Sequence, residues 1–336
     1  MKKLGVAVQG AGWVATEHIR SYLNNPDCEL KAINSRLQSE LDEKKALFGL
    51  ECDLYLDSYE EMLARDDIDV VSICTISFLH AKEAIAAAQA GKNVLIEKPI
   101  AIALEELREL RDAVAKSGVK AIAGFVLHWN PLMKIVKEIT RAGDLGEVFY
   151  IASDYWHEVF GEWKSKRKTS GNTLLMGGCH SIDAVRWFME GDEVVEVTGL
   201  TAAPRRRLDF DFPPTAAALL KFQSGAIGKV ACSLECNMPY VFNIEIMGSA
   251  GTLMNNRLFC DKFKGQTGWM EIPTVVPDRW EVEHHPFQGE IDDFVQCILE
   301  DREPETSVAD AWKTHEICIA AEMSAQEGRP IKLPLI

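Results

Sequence analysis

Hydrophobic and polar positions follow two different patterns along the chain, and the change between them lies near residue 124. In the first part, short apolar runs of strand length alternate with longer segments whose apolar residues recur at helical spacing. Strands that alternate with helices are typical of a doubly wound parallel sheet with helices on both faces. The predicted strands are residues 4–9, 30–33, 69–74, 94–96 and 120–125, and the predicted helices are residues 15–23, 58–65, 81–90 and 104–116.

The second part begins with one helix, Pro131–Arg141, and continues as a series of strands without helices between them. Strands in series favour a mostly antiparallel, open sheet. Since 336 residues exceed one typical core, we predict an α/β domain over residues 1–123 and an α+β domain over residues 124–336. The predicted strands are residues 148–154, 194–200, 216–222, 226–236, 242–247 and 252–255, and two helices, 287–300 and 308–326, end the chain.

Composition excludes several classes of function. The formal net charge of −15 argues against nucleic acid as a partner, because phosphate binding needs a basic surface. No segment approaches the ~20 apolar residues of a membrane span, and the N-terminus lacks the features of a secretory signal. The nine cysteines form no CxxC pair, so we predict reduced thiols in a cytoplasmic protein. We predict no metal site, because no third ligand at suitable spacing accompanies His284 and His285.

A glycine pattern follows the first predicted strand at the point where a helix begins. The residues are Gly10, Ala11, Gly12, Trp13, Val14 and Ala15, which match G-x-G-x-x-G/A. The first glycine permits a tight turn, the second lets the backbone approach a pyrophosphate, and Ala15 keeps the helix close to the sheet. This context predicts a dinucleotide site.

The end of the second predicted strand bears on the choice of cofactor. A free 2′-hydroxyl is usually held there by Asp or Glu, whereas this chain has Asn34, Ser35 and Arg36. Arg36 can make bidentate contacts to a 2′-phosphate, and Ser35 can donate a hydrogen bond to it. We therefore predict NADP, with NAD as the alternative; the other interpretation of Arg36 is a surface arginine that opens the next helix.

Two later strands also end in polar residues. Thr75 and His80 follow the strand 69–74, and Glu97 and Lys98 follow the strand 94–96. Ligands of open α/β sheets bind at the carboxyl ends of the strands, so these four residues are candidate cofactor contacts. A solvated ion pair is the alternative for Glu97 and Lys98, and a structural role is the alternative for His80.

A second stretch with candidate chemistry runs from Gly177 to Asp183. Gly177 and Gly178 allow close approach of a ligand or a strand, and His180 and Asp183 fall on one helical face. From these residues alone, His180 is either a packed histidine or a catalyst.

Taken together and in this order, the motifs Gly10–Ala15, Glu97-Lys98-Pro99 and Gly178–Asp183 resemble those of the Gfo/Idh/MocA oxidoreductases. The resemblance implies an N-terminal Rossmann domain, an α+β domain with an open sheet, and a last long helix packed near the first domain. It also implies oxidation or reduction of a sugar or cyclitol with NAD(P). Lys98 matches the family's EKP lysine, and His180 matches its catalytic histidine.

The chain departs from the family pattern four residues before His180. The family commonly has aspartate there, whereas this sequence has Met176. Asp154, Tyr155 and Asp183 are the candidates to replace that aspartate, and the sequence does not choose among them.

The predicted reaction is hydride transfer between nicotinamide and a secondary alcohol, with His180 as the base and Lys98 stabilising the alkoxide. The alternative is a redox-neutral glycosidase-like or epimerase-like enzyme that oxidises its sugar transiently with a tightly held cofactor. Candidate substrate contacts combine aromatic and polar side chains suited to a sugar. They are Lys98, His128, Tyr155, Trp156, His157, Trp163, His180 and Asp183.

The hairpin around residues 216–236 predicts self-association. Its strands carry apolar residues on alternating faces, among them Leu219, Ile227 and Val230. A sheet with two apolar faces needs a second cover, so we predict a homodimer or homotetramer.

Overall fold

The computed structural model describes residues 3–278 and 284–335. The chain groups into two compact units, one of Met1–Val126 with Pro286–Trp312 and one of Leu127–His285 with Lys313–Ile336. The domain boundary after residue 123 remains a prediction. The packing of the last long helix near the first domain also remains a prediction. What the sequence did not indicate is that the distant segment Pro286–Trp312 groups with the first unit.

Strands and helices alternate through the first unit, and strands dominate the second. In chain order the elements are β1 (Leu4–Gln9), α1 (Ala15–Asn24), β2 (Cys28–Ser35), α2 (Gln38–Phe48), β3 (Asp53–Leu56), α3 (Tyr59–Leu63), β4 (Val70–Ile73), α4 (Ser77–Gln89), β5 (Asn93–Ile96), α5 (Leu104–Ser117), β6 (Ala121–Ala123), α6 (Pro131–Arg141), β7 (Val148–Trp156), α7 (Arg167–Ser170), α8 (Cys179–Phe188), β8 (Val194–Ala202), β9 (Thr215–Phe222), β10 (Ile227–Ser233), β11 (Val241–Gly248), β12 (Gly251–Met254), β13 (Arg257–Cys260), β14 (Met270–Glu271), α9 (Phe287–Leu299), α10 (Val308–Glu327) and β15 (Ile331–Lys332).

The first unit is built on a six-stranded parallel sheet in the order β3-β2-β1-β4-β5-β6. This is the strand order of a Rossmann fold, and it confirms the predicted doubly wound sheet. All four residues of β4 are buried, as expected for a parallel strand covered on both faces. Helix α9 packs on α1 and contributes Ile291, Phe294 and Val295 to the core of this unit. The order reverses between β1 and β4, which is where such folds bind nucleotides.

The second unit is built on a nine-stranded sheet in the order β14-β13-β12-β11-β7-β10-β9-β8-β15. The predicted mostly antiparallel sheet is confirmed, with one difference: β7 and β10 pair in parallel. Burial alternates along β9 and β10, so one face of the sheet is covered and the other is open. Leu219 and Ile227 lie exposed on the open face, whereas Val230 is fully buried on the covered face, so the hairpin carries apolar residues on both faces, as predicted.

Two further properties concern the whole described chain. All nine cysteines are free thiols. Within residues 3–278 and 284–335, the helices are all too short or too polar to cross a membrane.

Candidate functional site

The turn after β1 has the geometry that a dinucleotide site requires. Gly10 adopts φ +90°, and a Cβ there would lie 2.8 Å from the carbonyl of Cys74, so only glycine fits. A Cβ at Gly12 would meet nothing within 4 Å, which leaves this backbone open to a ligand. The helix α1 begins at the fully buried Ala15, and its positive end favours an anion. These residues therefore fit the pyrophosphate of a dinucleotide.

A chain of side-chain hydrogen bonds connects the carboxyl ends of β2, β1 and β4. The Asn34 amide donates to Gln9 Oε1 (2.7 Å), and Gln9 Nε2 donates to Glu83 Oε1 (2.7 Å). The Thr75 hydroxyl donates to the other Glu83 oxygen (2.5 Å). Burial raises the pKa of Glu83, while the hydrogen bonds from Thr75 and Gln9 act in the opposite direction. Thr75 is thus held at the switch point by Glu83 of α4, which in turn accepts the Gln9 amide. The sequence analysis missed both residues, and the glutamine at the end of an apolar strand was the available signal for Gln9.

The end of β2 carries an acid that the sequence analysis also missed. The Ser35 hydroxyl donates to Glu40 Oε2 at 2.6 Å and accepts the backbone N–H of Leu37 at 3.2 Å. Glu40 is in the first turn of α2, five residues after Ser35, which is why the strand tip looked free of acids. Arg36 is exposed to solvent. This end of the strand therefore presents a cation and a carboxylate together.

The segment after β5 buries Glu97 and leaves Lys98 half-buried. Glu97 Oε1 lies 3.0 Å from His18 Nε2, and Oε2 accepts the backbone N–H of Lys98 at 3.3 Å. Burial acts to raise the pKa of Glu97, but the hydrogen bond from His18 and the charges of His18, Lys98 and His80 outweigh it, so the pKa lies below its usual value. The Glu97 carboxylate is thus held by the His18 ring and by the backbone N–H of Lys98.

His80, another predicted cofactor contact, is also engaged by the protein. Its Nδ1 lies 2.8 Å from the carbonyl oxygen of Pro99, and its Nε2 lies 2.9 Å from the carbonyl oxygen of Thr75. His80 is 2% exposed, and both of its ring nitrogens face backbone carbonyls.

In the second unit, His180 lies in the first turn of α8, directly after a π-helical turn over Leu174–Gly178. The ring is 7% exposed, and its centroid is 6.0 Å from that of Tyr155. A Cβ at Gly177 would come within 3.0 Å of Tyr155 and Leu234. The absence of a side chain at Gly177 therefore lets the segment that carries His180 lie close to the sheet. Of the two predicted reasons for this glycine, close approach of a ligand or of a strand, the structure shows the second.

Among the three candidates to replace the aspartate missing at position 176, Tyr155 lies next to His180, with 6.0 Å between the ring centroids. The Asp183 carboxylate lies 2.7 Å from His128 Nε2 and accepts the Thr314 hydroxyl at 3.4 Å. Asp154 accepts the Lys229 ammonium at 2.6 Å. Tyr155 is buried, which raises the pKa of its hydroxyl well above the usual value.

The other residues predicted to bind substrate have different neighbours in the second unit. His157 lies 5.9 Å from Tyr155 between ring centroids, and Tyr240, which the sequence analysis missed, lies 5.4 Å from Tyr155. Trp156 follows Tyr155 in β7, so it lies on the opposite face of the sheet. His128 stacks on Trp187 with centroids 3.9 Å apart. Trp163 lies in a 3-10 turn, where the Lys164 ammonium is 5.6 Å from its ring centroid.

Comparison with known proteins assigns both parts of the chain to one family. Residues 4–125 match the Gfo/Idh/MocA profile described as an oxidoreductase family with an NAD-binding Rossmann fold, and residues 133–254 match the Gfo/Idh/MocA C-terminal domain. The chain is 25% identical over 335 residues to scyllo-inositol 2-dehydrogenase (NAD(+)) of Bacillus subtilis, covering 97% of this chain and 95% of that protein. It is 26% identical over 340 residues to myo-inositol 2-dehydrogenase of Thermotoga maritima, covering 98% of each.

A solved structure supports the fold along the whole length. Levoglucosan dehydrogenase, in its complex with NADH and L-sorbose, superposes with a TM-score of 0.89 at 23% identity and covers 100% of both chains. With the glycine turn, the Rossmann strand order and two matching domain profiles, the chain belongs to the Gfo/Idh/MocA family of oxidoreductases.

Proposed function

We propose that this protein transfers a hydride between NAD(P) and a secondary alcohol or ketone of a sugar, glycoside or cyclitol. The observation that carries the proposal is the full-length similarity to two inositol dehydrogenases, with Lys98 and His180 at the family's motif positions. The nicotinamide, when bound, accepts or returns the hydride.

In this proposal the chain's own residues manage the hydroxyl proton and the developing charge. His180 takes the proton of the alcohol, because a histidine is a suitable base near neutral pH. Lys98 stabilises the alkoxide by donating to it. Tyr155 takes over the positioning of the His180 ring from the aspartate absent at position 176, a role supported by its ring contact with His180.

Substrate binding is proposed for the polar and aromatic side chains around His180 in the second unit. His157 is supported by its place in the same ring cluster as Tyr155. The predicted roles of His128, Trp156, Trp163 and Asp183 stay predictions, and the bond between His128 and Asp183 indicates a structural contribution from that pair.

For the cofactor, we propose binding by Gly10, Ala11, Gly12, Trp13 and Val14 at the pyrophosphate, with contributions from the residues after β2, β4 and β5. We also propose a small preference for NADP. Arg36 supports it, because an exposed guanidinium can bind a 2′-phosphate bidentately. Glu40 limits it, because its carboxylate already holds the Ser35 hydroxyl and repels a phosphate.

Two further proposals concern assembly and location. We propose a homodimer or homotetramer formed through the open face of the second sheet, supported by the exposed apolar residues there. We propose a cytoplasmic protein, supported by nine free cysteines.

The proposed function is tested by screening sugars, glycosides and inositols with NAD and with NADP and following the nicotinamide absorbance. Accumulation of reduced cofactor with at least one of these polyols is the expected result. A transient absorbance change without net reduced cofactor supports the redox-neutral alternative. Cofactor binding without turnover on any of them contradicts both.

A further inference from the structure

His80 makes two contacts that a neutral histidine cannot make together. Nδ1 lies 2.8 Å from the Pro99 carbonyl oxygen, and Nε2 lies 2.9 Å from the Thr75 carbonyl oxygen. A neutral imidazole has one donor nitrogen and one acceptor nitrogen, whereas a carbonyl oxygen only accepts. In either neutral tautomer, one lone pair of the ring would therefore face a lone pair of a carbonyl in a site that water barely reaches.

We propose that His80 is held as an imidazolium and acts as a charged positioning residue that ties the segment after β4 to the segment after β5. Both ring N–H groups donate, one to each carbonyl. The two segments carry Thr75 and Lys98, so one buried side chain fixes the backbone at the carboxyl ends of two neighbouring strands.

The surroundings of His80 supply the negative charge that a buried cation needs. Glu83 lies one helical turn further along α4, and Glu97 follows β5 directly; the positive charge of His80 stabilises the ionised form of each carboxyl. The positive end of α4 and the Lys98 ammonium act against the cation, since His80 is in the first turn of that helix. Two charge-assisted hydrogen bonds, each stronger than a neutral one, and two carboxyl groups offset that cost.

The consequence for catalysis rests on the proposed function. Pro99 follows Lys98 directly, so loss of the Nδ1 bond frees the backbone that carries the Lys98 ammonium. A displacement of about 1 Å in a catalytic group can cost about 100-fold in rate, so we expect His80→Gln to lower kcat at least tenfold. The exposed His284 provides a matched control, and His284→Gln should retain kcat.

The protonation of His80 can be measured without a substrate. Multiple-bond ¹H–¹⁵N NMR of the ¹⁵N-labelled full chain at pH 8, where an ordinary histidine with a pKa of about 6.5 is neutral, distinguishes protonated from bare ring nitrogens. The signals absent from His80→Gln identify the residue. Two protonated nitrogens are the expected result, and one bare nitrogen overturns the proposal.

Two further outcomes keep the test decisive. If His80→Gln does not fold, neutron diffraction from crystals of the unsubstituted protein shows whether deuterium occupies both ring nitrogens. A folded His80→Gln variant with near-native kcat overturns the positioning role even if the ring is doubly protonated. Failure of the proposed function would appear as inactivity of the unsubstituted protein and leaves the NMR result unaffected.

Discussion

Among individual residues, Glu290 is unusual because its carboxyl group lies in the interior of the first unit. It is fully buried in α9, and neither carboxyl oxygen has a hydrogen-bond partner among residues 3–278 and 284–335. Burial raises the pKa of Glu290 well above its usual value, and the negative charge of Glu97 raises it further. The folded protein therefore holds this side chain neutral.

We predict that Glu290→Gln stabilises the protein increasingly as the pH rises. With the pKa higher in the folded than in the unfolded state, the unfolded chain binds fewer protons above about pH 4.5, so stability falls with rising pH until the folded-state pKa is reached. Glutamine does not ionise, so the variant avoids this decrease in the free energy of unfolding. The decrease amounts to about 1.4 kcal/mol for each pH unit between about pH 4.5 and the folded-state pKa. Thermal melts at pH 5, 6.5 and 8 measure it.

The control for this experiment is Glu109→Gln, which changes an exposed glutamate of the same unit. Its melting temperature should follow that of the unsubstituted protein at every pH. A constant difference between Glu290→Gln and the unsubstituted protein from pH 5 to pH 8 would show that Glu290 is ionised in the fold.

The sequence predicted Lys98 and His180 as candidate residues because both lie in short contiguous motifs. It did not predict the hydrogen bond between Asn34 and Gln9, which forms because β1 pairs with β2 in the register that sets these two residues opposite each other. It also missed Glu83 of α4, which accepts the Gln9 amide. Register is a property of the folded sheet, and no local periodicity reports it.

Among the elements, we propose the junction of β2 and α2 as the one that sets the choice between NAD and NADP. We predict that Arg36→Ala weakens NADP about tenfold or more while leaving NAD nearly unchanged, since a charge-assisted contact is worth about 1.5–3 kcal/mol. Glu40→Gln keeps an acceptor for Ser35 but removes the negative charge, so NADP should bind roughly fivefold tighter, as expected for about 1 kcal/mol of repulsion near water.

Fluorescence titration of each variant with both cofactors measures these affinities. Glu51→Gln is the control, since it removes an exposed acid outside this junction. If the ratio of NAD to NADP affinity stays the same in Arg36→Ala, the guanidinium has no part in the preference.

Elements with strong local patterns were predicted well, and those that depend on neighbours were not. Helix α6 has the predicted bounds, since Pro131 suits its first turn and the Asn130 side chain accepts the N–H groups of Leu132 and Met133. The strand β3 was missed because it is a short edge strand whose residues are only partly buried. The parallel pairing of β7 with β10 was missed because consecutive strands favour hairpins, and the partner of β7 lies some seventy residues further along the chain.

At the scale of the whole molecule, the open face of the second sheet carries exposed apolar side chains. Leu200, Leu219 and Ile227 are 72%, 54% and 52% exposed, and the pairing of β8, β9 and β10 sets Leu200 and Leu219 on the same face as Ile227. Exposed apolar surface of this kind is typical of an interface between proteins.

We predict that the protein in solution is a dimer or tetramer and that Leu219→Glu combined with Ile227→Glu yields monomers. Buried carboxylates without partners would oppose association through this face. Light scattering during size-exclusion chromatography at micromolar concentration measures the mass. Leu47→Glu, at an exposed position of α2, should retain the larger mass. A monomer mass for the unsubstituted protein would exclude this assembly.

The proposed chemistry depends on the Lys98 ammonium, so the Lys98→Met variant is the decisive experiment. Methionine keeps most of the side-chain volume but lacks the charge that stabilises the alkoxide, so the loss should fall on the transition state. We would measure kcat, cofactor affinity and melting temperature on one sample, with the exposed Lys116→Met as the control. We predict a folded protein that binds cofactor and whose kcat is lower by about 100-fold or more. Near-native kcat in a folded, cofactor-binding Lys98→Met sample would contradict it.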